Sequence, residues 1–210
     1  PIIYVNTDQE RAVVDQAADA MVAANDPPTL FRRGDLLVRL EDLDQEPKFG
    51  VLTKPALADV LSRAADWIAL KDEGAVNARQ PEYVAQRLHD TPDHRVPRLQ
   101  QHATVPVFNA AGELLATNGY HADCGTYLSL PSELDRDWPT VVNERQVKAA
   151  VELIRNDWLD DFAFEEDGDF AHFLAFLLQP LVMAMIDGPT PAMLITAPVR
   201  GVGKTLLAQL

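Results

Sequence analysis

Residues 197–205 read A-P-V-R-G-V-G-K-T. An apolar run, Met193-Leu194-Ile195-Thr196-Ala197, leads into them, and a helix-like Leu206-Leu207-Ala208-Gln209-Leu210 follows. Strand, glycine-bearing loop, Lys-Thr and helix is the order that a phosphate-binding loop requires. Loop amides and the first helical turn then surround a triphosphate with donors. This reading places Gly201, Val202 and Gly203 around the phosphates of ATP. Lys204 is expected to reach the β- and γ-phosphates, and the Thr205 hydroxyl to sit on the accompanying Mg²⁺. The common pattern, G-x-x-x-x-G-K-[ST], carries glycine where this chain has Pro198. Gly201 is expected to make the sharp turn instead, since glycine adopts positive φ freely. The plain alternative is a chance G-K-T at a helix start.

The 210 residues are 47% hydrophobic and 24% charged, which fits a globular chain with a real core. Net charge is −14, which argues against a general nucleic-acid coat protein. The charge is unevenly spread. Residues 132–187 hold thirteen acids against four basic residues, and residues 1–28 hold five against one. Residues 29–102 are nearly neutral and carry Arg32, Arg33, Arg39, Lys48, Lys54, Arg63, Arg79, Arg87, Arg95 and Arg98. Contact with DNA phosphates, if made by these 210 residues, is expected there. The single Cys124 excludes an internal disulfide. Pro1-Ile2-Ile3-Tyr4-Val5 is too short for a signal peptide. The apolar residues 170–186 fall short of the ~20 needed for a span and are flanked by Asp169 and Asp187. No membrane association and a cytoplasmic location are therefore expected.

The pattern predicts an α+β protein in three parts. Residues 1–100 read as an N-terminal α+β domain of helix–hairpin–helix–strand. Thr7 and Glu10 form a capping box ahead of Val13, Val14, Ala17, Ala20, Met21 and Ala24. A turn at Arg33-Gly34-Asp35 makes the hairpin, and a polar loop with Pro47 and Gly50 follows. Thr53-Lys54-Pro55 starts a helix lined by Leu57, Val60, Leu61 and Ala64, and Trp67-Ile68-Ala69-Leu70 returns as a strand. Residues 71–80 read as a polar linker, and Pro81 opens a short helix with Val84 and Leu88 inward.

Residues 101–187 read as a β-meander and a helical region that precedes an ATPase. Three strands are expected between residues 105 and 130, with turns at 109–112 and 122–125. Asn143 and Gln146 cap a helix with Val147, Ala150, Val151, Ile154 and Trp158 on one stripe. The apolar helix of residues 170–186 is expected to kink or split at Pro180. Residues 188–210 then read as the start of a P-loop ATPase, cut after its first strand, loop and helix.

Those pieces also resemble a known family. The run G-Y-H-A-D-C-G-T-Y-L-S-L-P at 119–131, D-F-A-F at 161–164, H-F-L-A-F-L-L-Q-P-L-V at 172–182, G-P-T-P at 188–191 and the loop itself occur in order. Residues 112–210 resemble the region leading into the ATPase of phage and mobile-element primase–helicase-like proteins, related to superfamily 3 helicases. The resemblance implies an ATP-dependent DNA helicase, or a primase–helicase-like replication protein, that assembles as a homo-hexamer. Phosphoryl transfer also needs a Mg²⁺-holding acid on a later strand and, commonly, a neighbour's arginine. Both are expected beyond Leu210, so no turnover is expected from residues 1–210 alone. Two other readings stand beside this one. One is a non-catalytic docking or regulatory module of another P-loop ATPase, such as a loader or defence protein; the other is a P-loop kinase.

Other clusters carry less. His121, Asp123 and Cys124 lack the second pair that a tetrahedral zinc site needs. The acids Asp160, Asp161, Glu165, Glu166, Asp167 and Asp169 lack the spacing of a calcium loop. Asp42 and Asp44 have alternate spacing but fall in an expected turn. Phe162, Phe164, Phe170, Phe173 and Phe176 are expected in the core.

Overall fold

The computed structural model describes residues 1–5, 9–43, 46–92, 95–134, 136–139, 141–162, 164–197, 199 and 201–208. The fold is mixed α+β, with small sheets and six α-helices among these residues. It divides into two compact units. The first is Pro1–His102 with Gly119–Ser129, and the second is Ala103–Asn118 with Leu130–Leu210. The segment 119–129 therefore belongs with the first unit, although its place in the chain put it with the second.

In the first unit β1 (Ile2–Tyr4) and β5 (Asp66–Lys71) run parallel, and β6 (Gly74–Asn77) pairs antiparallel with β5. A second sheet has the order β2 (Leu30–Arg33), β3 (Leu36–Leu43), β4 (Glu46–Val51). Its hairpin turns at Gly34, which has φ +60. The two faces of this sheet serve different cores, because side chains alternate along a strand. Leu30 and Leu37 face a core built with α1 (Glu10–Ala23), α2 (Lys54–Ala64) and α3 (Glu82–Asp90), filled by Val13, Ala17, Met21, Leu57, Leu61, Val84 and Leu88. Phe31 and Val38 face the opposite way, against Leu99, Phe49, Tyr120 and Tyr127. Phe31 meets Phe49, Tyr120 and Tyr127 edge-on at centroid distances of 5.5, 4.9 and 5.9 Å. Such geometry suits the ring quadrupoles.

The helices form where the sequence places them. Thr53 caps α2 by accepting from the Ala56 amide, and Pro55 sits in its first turn. The buried stripe of α1 contains Val13, Ala17, Ala20 and Met21, as the spacing requires. Thr7 lies outside the described residues, so its capping box does too; the Gln9 side chain at the N-cap makes no cap bond.

The strands need more correction. The expected polar loop with Pro47 and Gly50 is β4, an edge strand, where proline is tolerated because its missing N–H faces away from the ladder. The Glu41 carboxylate lies over Gly50, where a Cβ would come within 2.7 Å of one of its oxygens. The expected linker 71–80 contains β6. The strand β1 gave no sequence signal, being three residues long.

The expected three-stranded meander is split between sheets. β8 (Val107–Phe108) and β9 (Leu114–Leu115) form a two-stranded hairpin in the second unit. Its turn is held by Asn109, whose side-chain oxygen accepts from the Ala111 and Glu113 amides. β10 (Gly119–His121) and β11 (Thr126–Leu128) pair in the first unit, and β7 (Gln101–Ala103), not β9, takes the third place. The segment before β7 is stitched on both sides. Arg32 donates its amide to the Pro97 carbonyl, Leu99 donates to that of Arg32, and Gln100 donates to that of Gly125, each at 2.8 Å.

In the second unit α4 (Glu144–Leu153) carries the Asn143/Gln146 capping box and runs on as a π-turn over Ile154–Trp158. Its stripe is divided: Val151 and Ile154 pack against a core, but Val147 and Trp158 are 51% and 61% exposed. That core holds Leu159, Phe170, Phe173 and Leu207. α5 (Asp167–Leu178) ends before Pro180, and two 3-10 turns follow, so the apolar stretch splits where proline forbids continuation. No helix among the described residues is long and apolar enough to cross a membrane.

Gly125 locks the stitching. It has φ +65, and a Cβ there would lie 2.8 Å from the Arg98 carbonyl oxygen. Gly34 has similar φ but open space around it. A left-handed alanine alone costs about 1–2 kcal/mol. In urea unfolding, Gly34→Ala is expected to lose about that much and Gly125→Ala distinctly more. Equal losses would contradict this account of the clamp.

Candidate functional site

The segment 193–197 has the side-chain alternation of a strand. Met193, Ile195 and Ala197 are partly buried, with Met193 and Ile195 packed on the second unit's core. Leu194 between them is 85% exposed. A sheet ladder is missing, however: among the described residues its main chain makes no hydrogen bonds, and it is not assigned as a strand. The expected strand is thus corrected to an extended, unpaired segment. Alternation fixes which side chains face the core, but only a neighbouring strand supplies the bonds that define a sheet.

Pro198 and Arg200 lie outside the described residues. The chain then turns through Gly201 and Gly203, both left-handed at φ +82 and +83. Val202 between them is exposed. A single helical turn, α6 (Lys204–Leu207), begins immediately. Its anchor is Leu207, buried in the core, and the Phe162 ring closes over Gly203. A Cβ on Gly203 would lie 3.1 Å from that ring. The Phe162 contact was not legible in the sequence, where this residue is one of several core aromatics.

The bonding around the loop is one-sided. Leu207 donates to the Gly203 carbonyl at 2.9 Å and Ala208 to that of Lys204 at 3.1 Å. The amides of Val202, Gly203, Lys204, Thr205 and Leu206 find no acceptor among the described residues. Free amides at a helix start, next to glycines with inverted φ, form a concavity with positive potential. Lys204 makes no ion pair with a described residue, and Thr205 is exposed. Five adjacent sequence-predicted residues, Gly201 to Thr205, are therefore together at one turn. Their main chain offers donors, one side chain offers a cation and another a hydroxyl.

No group of three or more His, Cys, Asp or Glu able to hold a metal occurs among the described residues. Cys124 donates its thiol to the His121 carbonyl within the β10–β11 turn, an ordinary hairpin contact. Asp167 pairs with Arg155 and Asp169 caps α5, so part of the acidic loop is structural. Phe164 meets Phe170 edge-on and Phe173 at a tilt, and those two are buried as expected, whereas Phe176 is 40% exposed. Asp44 lies outside the described residues.

One pair was not anticipated. His102 on β7 hydrogen-bonds to the Ser129 hydroxyl after β11. Partial burial, followed by the nearby Arg33 charge, holds the imidazole below its ordinary pKa of 6.5. Phe49 and Tyr127 flank the ring at centroid distances of 5.2 and 6.2 Å. No carboxylate orients it among the described residues, so the pair lacks the third member of a nucleophilic triad. It serves the aromatic core.

No known protein family, curated protein or solved structure matches the chain.

The lowered His102 value has a consequence for stability. The unfolded chain binds this proton more readily, so the neutral ring contributes fully above pH 6.5. That contribution is lost as pH falls from 6.5 through the lower folded value. Between about pH 7.5 and 5.5, the urea midpoint is expected to fall more steeply for the wild type than for His102→Gln. Parallel curves would show that the ring is not desolvated.

Proposed function

We propose that residues 201–205 are the phosphate-binding loop of an ATP-dependent DNA helicase or primase–helicase-like replication protein of a phage or mobile element. The observation that carries this reading is the run of unbonded amides from Val202 to Leu206, framed by two left-handed glycines and followed by Lys204 and Thr205. A triphosphate supplies the acceptors those amides lack. Lys204 would neutralise phosphate charge, and Thr205 would offer its hydroxyl to Mg²⁺, which draws charge from the phosphate oxygens when bound.

The segment 193–197 supports the same reading. An alternating segment with free main-chain groups and an exposed Leu194 suits an α/β ATPase sheet, whose strands are paired on their edges and covered on both faces. The order of helices, break and loop along residues 112–210 adds the family resemblance, and with it DNA as partner and a hexameric assembly.

Equilibrium binding of ATP with Mg²⁺ tests the loop. Hydrogen bonds to charged groups are worth about 1.5–3 kcal/mol, so Lys204→Ala is expected to weaken ATP about tenfold to a hundredfold. Val105→Ala, away from the loop, is expected to leave it unchanged. ATP affinity that is indifferent to Lys204→Ala would reject the assignment.

A further inference from the structure

Arginines in this chain fall into two groups. Arg11, Arg63, Arg87, Arg95 and Arg155 each meet a carboxylate: Asp15, Asp59, Glu10, Asp19 and Asp167 respectively. Arg79, Arg136 and Arg145 meet none among the described residues, and neither do Arg32, Arg33, Arg39 and Arg98, which unlike the first three are gathered by the β2–β3 sheet and the segment bridged to it. In a protein of net charge −14, four such cations in one small region require a reason.

Their placement is set by the sheet. Arg32 and Arg98 are partners in a parallel bridge, fixed by the bonds from Arg32 to Pro97 and from Leu99 to Arg32. Bridge partners share a face, so two guanidinium stems leave the sheet side by side. Arg39 is on the same face, opposite Leu30 and so diagonal to Arg32. Arg33 lies on the other face at the strand end, near enough for its charge to depress His102. Tyr120 donates its hydroxyl to the Arg98 carbonyl, and this holds the segment from the β10–β11 side.

The energetics are unfavourable without a ligand. Arg32 Nε is buried and has no hydrogen-bond partner among the described residues, a state that native proteins rarely leave uncompensated. Its neighbour Arg98 adds like charge rather than opposite charge. An anion would supply both the missing acceptor and the missing counter-charge. Guanidinium groups suit phosphate, which they grip bidentately.

We propose that Arg32, Arg39 and Arg98, with Arg33 at the strand end, form a phosphate-binding surface for the backbone of single-stranded nucleic acid. Arg32 and Arg39 are half-buried on the face that Leu30 and Leu37 turn to the helical core, and Arg98 beside Arg32 is exposed, so the site lies at the margin of that core and is open to solvent at Arg98 and at Arg33 on the strand end. The stripe crosses neighbouring strands and suits successive phosphates of a linear polyanion. Duplex DNA carries about twice the charge per length of one strand, so the acidic remainder of the protein opposes it more strongly. This inference does not depend on the loop at 201–205.

The test is polarisation of a labelled oligothymidylate against the whole chain between about 50 and 200 mM salt. Wild-type binding is expected to weaken with salt. Arg32→Gln with Arg98→Gln is expected to lower affinity about tenfold or more and to flatten the salt slope by about 1–2. Arg98→Gln alone, at an exposed position, is expected to show about half of that slope change and carries the test if the double variant melts early. Lys204→Ala is expected to leave oligonucleotide binding intact, which separates this surface from the nucleotide loop. Three results would each overturn the proposal: no binding at the lowest salt, binding indifferent to the arginine changes, or binding lost only with Lys204→Ala. If the arginine changes abolish binding of inorganic phosphate or ATP but spare the oligonucleotide, the surface serves free phosphate and the nucleic-acid assignment fails. Tighter binding of a duplex than of the single strand would also reject it.

Discussion

A buried main-chain donor or acceptor must find a partner, and this requirement organises both units in opposite ways. In the first unit it is met closely. Residues 97–100 give bonds to β2 on one side and to Gly125 on the other, and the two aromatic-lined sheets are joined through that segment. In the second unit the main chain of residues 193–197 and the amides of residues 202–206 have no partners among the described residues. One region is closed by its own backbone. The other leaves amides and an extended segment without main-chain partners among the described residues.

Charge follows the same division at the level of side chains. Several arginines have a carboxylate beside them, as in Arg87 with Glu10 or Arg63 with Asp59, and Arg136 lies over the Trp138 ring. Arg32, Arg33, Arg39 and Arg98, which meet no carboxylate among the described residues, are instead held by a sheet bridge and a hairpin. Lys204, at the start of α6, also meets no carboxylate among the described residues. Both candidate sites combine a fixed backbone with cations that lack an internal counter-ion. That combination is what phosphate recognition needs.

Much of the local structure was legible because it depends on short-range chemistry. Thr53 and Pro55 announce α2, Asn143 and Gln146 announce α4, and Pro180 ends α5. The loop residues Gly201 to Thr205 were legible for the same reason, since two glycines and a Lys-Thr pair act within one turn. What could not be read depends on distant partners. β4 carries Pro47 and Gly50, turn residues by habit, yet pairing with β3 at the sheet edge makes them strand residues. β6 is exposed throughout and has no apolar pattern to reveal it. The β10–β11 hairpin follows β9 in the chain but pairs its sheet with β7, a choice made by the Gly125 contact with residues 98–100. The Arg32–Arg98 bridge spans a separation that no local pattern encodes.

The central claim is that main-chain donors at residues 202–206 form an anion nest. Amide chemical shifts of the ¹⁵N-labelled chain, followed while ATP and Mg²⁺ are added, address it directly. The account predicts that the largest and saturable changes fall on Val202, Gly203, Lys204, Thr205 and Leu206. Amides of the β2–β3 hairpin are expected to move little. Resonances of 202–206 that stay in place while nucleotide saturates the protein would contradict it.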